Sequence, residues 1–75
     1  MNEIIETLDR YVNDKIPTGG FLRAVLANDL MGAFGAADIH NRARMFEIVQ
    51  HVYSEIPRWC HGSYEIVDKW LEGEK

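Results

Sequence analysis

The side chains best suited to covalent chemistry are Cys60 and His61, which are neighbours in the chain. A cysteine nucleophile needs a histidine base within hydrogen-bond reach and a third group that orients the base. Side chains of adjacent residues rarely point at each other, and no third group is evident. A metal site that adds the distant His40 or His51 lacks the ligand spacing of zinc sites. We therefore predict no catalytic residue, no metal site and no cofactor, and a protein that is not an enzyme.

The candidate anion-binding site is a turn formed by Thr18, Gly19 and Gly20. Free N–H groups at the start of a helix attract anions, and glycines let a phosphate approach closely. Thr18 is also the expected N-cap of that helix. Arg23 is the only nearby cation, and the lysine of a P-loop is absent. A plain turn and cap is the structural interpretation, and binding of phosphate or a cyclic nucleotide is the functional one.

Five polar residues border the junction between two predicted helices: Asn28, Asp29, Asp38, Asn41 and Arg42. A buried carboxylate without a partner is costly, so Asp29 needs a partner if it lies inside. The structural interpretation pairs Asp29 with Arg42 or with a helix N-terminus, which would fix how two helices cross. The functional interpretation is a polar pocket for a ligand or a partner.

The candidate partner-binding residues are Arg58, Trp59, His61, His40 and Arg44. Arg58 and Trp59 follow a proline in a predicted loop, where burial of an indole ring is difficult to arrange. Exposed tryptophan and arginine are favoured at protein interfaces. The alternative is that Trp59 folds back and covers one end of the domain. His40 and Arg44 lie on the outer face of a predicted helix, for which a solvated surface is the simpler interpretation.

Helices must position all of these residues, because apolar side chains recur with helical spacing along most of the chain. The pattern predicts four helices, at residues 2–15, 19–34, 39–56 and 63–72. Asp38 and Ser63 are the expected N-caps of the last two helices. Short connections favour a compact all-α bundle of four helices in a single domain, residues 1–75, with a frayed tail at residues 73–75.

The second predicted helix is apolar on most sides, so we expect the other three helices to enclose it. Gly32 inside this helix would let another backbone approach closely. The third helix is the most clearly amphipathic, with polar residues on its outer face. Its apolar stripe, expected to face the core, comprises Met45, Ile48, Val49, Val52, Tyr53 and Ile56.

Composition limits the functions that this chain can have. Its 75 residues make one domain. A domain of this size is marginally stable alone, so we expect good helix packing or self-association to stabilise it. With 8 basic against 12 acidic residues, broad binding of a nucleic-acid backbone is disfavoured. No apolar run reaches the length of a membrane span. Cys60, as the single cysteine, suits a reducing cytoplasm and forms no internal disulfide.

Several short motifs together resemble a set of short hypothetical proteins encoded by phages and prophages. The resemblance covers about residues 11 to 72 and is carried by Ile16-Pro17-x-Gly19-Gly20-Phe21-Leu22, Val25-Leu26-x-Asn28-Asp29-Leu30, Ala37-Asp38-x-x-Asn41, Tyr53-x-x-x-Pro57, Gly62-Ser63 and Trp70. It implies a phage accessory protein in the host cytoplasm that binds and inhibits a bacterial defence protein. The alternatives are an oligomeric sponge that sequesters a cyclic nucleotide or another small anionic signal, and a structural or regulatory phage protein.

Overall fold

The computed structural model describes residues 1–73, so residues 74 and 75 of the expected tail lie outside the described residues. The regular elements in residues 1–73 are all helical, which confirms the all-α class. They are α1 (Asn2–Asp14), α2 (Gly20–Leu26), α3 (Leu30–Ala36), α4 (Ile39–Ala43), α5 (Met45–Glu55), a 3-10 turn (Arg58–Cys60) and α6 (Tyr64–Leu71). Six α-helices replace the four expected because two of the predicted helices are each divided.

The predicted helix at residues 19–34 is divided into α2 and α3 by two polar residues. Asn28 adopts a left-handed conformation with φ 62°, which asparagine tolerates better than most residues. Asp29 then caps α3, because its carboxylate accepts the Gly32 N–H at 2.9 Å. A side chain at residue 32 would collide with that carboxylate. Gly32 therefore makes room for the cap. From the sequence we expected it instead to make room for another backbone.

The predicted helix at residues 39–56 is divided at Arg44, which has φ −106° and ψ 11°. Asp38 caps the short α4, since its carboxylate accepts the Asn41 N–H at 2.8 Å. Ser63 caps α6 by accepting the Ile66 N–H at 3.1 Å. Both caps agree with the prediction. Pro57 ends α5 early by holding Ile56 in an extended conformation.

Five elements contribute to the main core, whose fully buried side chains are Leu8, Tyr11, Leu26, Ile48, Cys60 and Val67. The Tyr11 hydroxyl donates to the Cys60 carbonyl at 2.6 Å. The Trp70 indole N–H donates to the Tyr11 carbonyl at 2.9 Å. These two bonds connect α1 to the 3-10 turn and to α6, and they satisfy polar groups that would otherwise be buried without partners.

Residues 19–34 were expected at the centre of the bundle, but only α2 lies there. α2 contacts α3, α5 and α6. α3 packs on α2 through small side chains and forms a second cluster with Ala24, Ala33, Ala37 and Met45. Three large apolar side chains of α3 are exposed, namely Leu30, Met31 and Phe34. The expectation of one enclosed rod at residues 19–34 is therefore wrong for α3, because Asn28 and Asp29 redirect the chain.

The longest helix is α1, with 13 residues. Among the helices of residues 1–73, none is both long and apolar enough to cross a membrane.

Candidate functional site

Arg58 and Trp59 project from the 3-10 turn, and both are exposed. Trp59 keeps 54% of its surface exposed, so it does not fold back over the end of the domain. The next residue, Cys60, is completely buried, and its N–H donates to the Pro57 carbonyl at 2.9 Å. The Cys60 carbonyl also accepts a hydrogen bond from the Tyr11 hydroxyl, so contacts with the core fix the backbone next to Trp59. We call Arg58 and Trp59 the Trp59 corner.

The Cys60 thiol points into the core and not toward solvent. Burial raises the pKa of this thiol, so it stays protonated near neutral pH. A protonated, buried thiol is a poor nucleophile, and its role in this structure is packing.

His61 lies in a groove between α2 and α5, apart from the Trp59 corner. The groove has a volume of about 280 Å³ and is lined by Val25, Asn28, Val49, Val52, Tyr53, His61 and Gly62. The Gly62 N–H donates to the Leu26 carbonyl at 2.7 Å, which holds the His61 loop against the end of α2. Within residues 1–73, Arg58 and Trp59 do not line this groove.

His40 and Arg44 line a different depression, together with Glu3, Asp38 and Asn41. The Arg44 guanidinium donates to Asn41 Oδ1 at 3.1 Å and to a Glu3 carboxylate oxygen at 3.4 Å. Arg44 Nε is buried without a hydrogen-bond partner among the described residues. Arg44 therefore ties α1 to the junction of α4 and α5. The five residues predicted to bind a partner divide into three separate groups.

Gly19, and not Thr18, occupies the N-cap position of α2, which corrects the predicted cap. The Thr18 hydroxyl makes no capping bond and lies 3.1 Å from the Gly19 carbonyl oxygen. Gly19 and Gly20 are exposed, and a Cβ at either position would meet no atom within 4 Å other than those of adjacent residues and of the backbone of its own helix, so the turn is open.

Arg23, the cation expected to support an anion at this turn, is directed elsewhere. Its guanidinium lies 2.8 Å from the Asp68 carboxylate. It also lies 5.0 Å from the centre of the Tyr64 ring. Arg23 therefore connects α2 to α6.

Asp29 pairs with a helix N-terminus and with Tyr64, and not with Arg42. The Tyr64 hydroxyl donates to Asp29 at 2.6 Å while the other carboxylate oxygen caps α3. The Tyr64 hydrogen bond, followed by the Gly32 N–H, holds the pKa of Asp29 below its usual value. The same hydrogen bond raises the pKa of Tyr64.

The five polar residues at the junction do not enclose one pocket. Asn28 is exposed at the break between helices, Asp38 caps α4, and Arg42 is exposed. Asn41 accepts a hydrogen bond from Arg44. Of the two partners that the structural interpretation gave Asp29, the structure shows the helix N-terminus.

The sequence did not reveal an exposed set of large apolar side chains on α3 and α5. We call it the apolar face, and its members are Leu30, Met31, Phe34, Phe46, Val49 and Tyr53. Met31, Phe46 and Tyr53 are 86%, 78% and 83% exposed. Leu30 and Val49 line one small cleft, so the two helices meet there. Val49 and Tyr53 were expected in the core, but the inward side of α5 is formed by Met45, Ile48 and Val52.

Among residues 1–73, no group of three or more His, Cys, Asp or Glu side chains is placed to hold a metal ion. A scan against protein-family models, a search of curated proteins and a search of solved structures found no match.

Proposed function

We propose that this chain is a non-enzymatic binding protein that occludes a host protein through the Trp59 corner. The observation that carries the proposal is the exposure of Trp59 directly beside the buried Cys60. A half-exposed indole on a backbone fixed by the core loses little conformational freedom when it binds. Tryptophan and arginine are also the residues that most often dominate the energetics of protein interfaces.

The Trp59 corner suggests the chemistry of its partner. The indole ring of Trp59 fits an apolar pocket, and the guanidinium of Arg58 fits a carboxylate at the rim of that pocket. The resemblance to short phage and prophage proteins favours a bacterial defence protein as the partner. Occlusion would then inhibit that protein stoichiometrically, without covalent chemistry.

The test is capture of a partner from a bacterial lysate by the tagged chain, followed by binding of the two purified proteins. We expect Trp59→Ala to lower the affinity at least tenfold, and Arg58→Ala to lower it less. Tyr53→Ala is the matched control, because it also removes an exposed aromatic ring. Equal capture by the wild type and Trp59→Ala would remove the Trp59 corner from the mechanism.

Inhibition is tested separately in cells that carry the captured defence system. Expression of the wild-type chain should raise the plating efficiency of a sensitive phage, and expression of Trp59→Ala should not. A captured protein whose defence activity is unchanged would contradict the inhibitory role, although the binding would remain.

The open start of α2 favours one second candidate, the oligomeric sponge for a cyclic nucleotide or another small anionic signal. Gly19 and Gly20 are exposed at the start of α2, and the first backbone N–H groups of a helix have no acceptor within the helix, which suits a phosphate. The test is calorimetric titration with cyclic dinucleotides, together with the ultraviolet spectrum of the purified protein. No heat at high micromolar ligand would exclude this candidate. Binding of neither ligand class would leave a structural or regulatory phage protein.

A further inference from the structure

The groove between α2 and α5, which we call the His61 groove, combines an apolar lining with a few polar side chains. Three valines from the two helices supply the apolar part, and an aromatic ring and two polar residues complete it. These residues are Val25, Val49, Val52, Tyr53, Asn28 and His61. Sites for small molecules have this composition, in which apolar and aromatic side chains surround a small number of polar groups that orient the ligand.

The polar side chains of the His61 groove are free to bind a ligand. Within residues 1–73, those of Asn28, His61 and Tyr53 make no hydrogen bond. A carboxamide offers a donor and an acceptor side by side, and a neutral imidazole offers one of each. The hydrogen bond from the Gly62 N–H to the Leu26 carbonyl holds the loop that carries His61. A ligand that pairs with these groups therefore has little backbone to order.

The charges around the His61 groove favour an uncharged ligand. Among the described residues that line it, none is Asp, Glu, Lys or Arg. A smaller adjoining cleft shares Val25, Asn28 and Val49 with the groove, and Asp29 also lines that cleft. An anionic group would lie near the Asp29 carboxylate with no cation in the lining to balance the repulsion.

The size of the His61 groove fits a ligand of two fused rings. Its volume is about 280 Å³. Water occupies about 30 Å³ per molecule in the liquid, so this volume corresponds to about nine waters, or on the order of ten non-hydrogen atoms. The ring of Tyr53 can stack on a flat heterocycle, as aromatic side chains stack on nucleobases.

We propose that the His61 groove binds an uncharged purine, as the free base or as a nucleoside. The ring system packs on the valines and Tyr53, and its polar edge pairs with the carboxamide of Asn28. Asparagine complements adenine in this way, because N6 of adenine donates while N7 accepts. His61 hydrogen-bonds to a second polar atom of the ring system. The residues of the Trp59 corner and of the turn at Gly19 and Gly20 do not line this groove.

The experiment is calorimetric titration of the full chain with adenine, and with indole as a fused ring system that has no ring acceptor. We expect adenine to bind saturably and indole to bind about tenfold more weakly or less. Adenosine, titrated in the same way, distinguishes a nucleoside from a free base as the preferred ligand.

Asn28→Gly should weaken adenine binding by about tenfold or more, because it removes the carboxamide while glycine keeps the left-handed backbone. Asn13→Ala is the matched control, since it removes an exposed carboxamide from α1 and should leave binding unchanged. Tyr53→Ala should also weaken binding, whereas Tyr53→Phe keeps the ring for stacking and should bind as the wild type does.

Circular dichroism establishes that each variant is folded. If Asn28→Gly is unfolded, Asn28→Asp keeps a short polar side chain at the turn but replaces the donor with a charge, and it should likewise weaken binding. The proposal is overturned if neither adenine nor adenosine binds at millimolar concentration, or if indole binds as tightly as adenine. It is also overturned if a folded variant of Asn28 binds adenine as tightly as the wild type.

This proposal and the proposed functions fail separately. Trp59→Ala should keep adenine binding while it loses the captured partner, and Asn28→Gly should lose adenine while it keeps that partner. A cyclic dinucleotide held at the turn of Gly19 and Gly20 should still bind to Asn28→Gly.

Discussion

At the residue scale, single polar side chains join the helices. Asp29 caps α3 and accepts the hydroxyl of Tyr64 from α6, so one carboxylate holds two elements. Arg23 makes a second connection from α2 to Asp68 of α6. The pKa of Asp68 is lowered by its hydrogen bond to Arg23. Each carboxylate stabilises the fold more when it is ionised than when it is protonated.

These lowered pKa values predict loss of stability in acid. A carboxyl group whose pKa is lower in the folded chain stabilises the fold above its usual pKa, which is 3.8 for Asp29 and Asp68. This contribution disappears as the pH falls below that value and through the folded pKa. We expect the melting temperature of the wild type to fall below about pH 4. The double variant Asp29→Asn, Asp68→Asn should show a smaller fall, measured by circular dichroism at pH 2–7.

A control for this prediction is Asp9→Asn, since Asp9 is an exposed residue of α1. Its melting curve should follow that of the wild type across the same range. Equal acid sensitivity of the double variant and the wild type would show that other groups cause the loss.

The buried hydroxyl of Tyr11 gives a second prediction at this scale. Tyr11→Phe keeps the ring in the core but leaves the Cys60 carbonyl without its donor at 2.6 Å. A buried acceptor without a partner costs about 1–3 kcal/mol, so we expect the free energy of unfolding to fall by that amount in urea titrations. Tyr53→Phe is the control, because Tyr53 is exposed and should change little. An unchanged free energy in Tyr11→Phe would contradict the structural role of the hydrogen bond.

At the scale of elements, the break between α2 and α3 determines which surfaces are exposed. Asn28 takes the left-handed conformation that ends one helix, and Asp29 begins the next. The turn leaves α2 in contact with three other helices and moves α3 to the surface. The apolar face exists because α3 is not a continuation of α2.

The conformation of Asn28 can be tested by substitution. Asn28→Ala should destabilise the fold by about 1–2 kcal/mol, because a Cβ-bearing residue without a short polar side chain disfavours positive φ. Asn28→Gly should be close to neutral, because glycine adopts this conformation freely. Chemical unfolding measures both values. If Asn28→Ala and Asn28→Gly are equally stable, backbone conformation does not govern this junction.

At the scale of the whole molecule, the small size of the chain limits its stability. A chain of 75 residues buries only about 60% of its unfolded surface, so its net stability alone is small. A second copy that binds the folded state and not the unfolded state adds stability by mass action. The apolar face is exposed in the single chain, so self-association that covers it would stabilise the fold.

The self-association expected from the sequence predicts a melting temperature that rises with protein concentration. We expect a rise of several degrees for the wild type between about 5 and 500 µM, because self-association favours the folded state. Phe46→Glu should melt at one temperature throughout this range, and Ile16→Glu, which changes an exposed apolar residue outside α3 and α5, should follow the wild type. Calorimetry or circular dichroism in short cells provides the measurement. A wild type that melts independently of concentration would contradict this expectation.

The sequence by itself determined the all-α class, the extent of α1 and α6, and the caps at Asp38 and Ser63. Each of these depends on side chains only a few residues apart, so the local pattern contains the necessary physics. Asn28-Asp29 is also a local signal for a helix break, but the apolar residues on both sides favoured the prediction of one continuous helix. Only the tertiary structure decided that Asp29 pairs with Tyr64, that Arg23 faces Asp68 and that Tyr53 is exposed. The spacing of apolar residues indicates which side chains favour burial. Whether a neighbour covers each of them depends on where helices distant in the sequence pack.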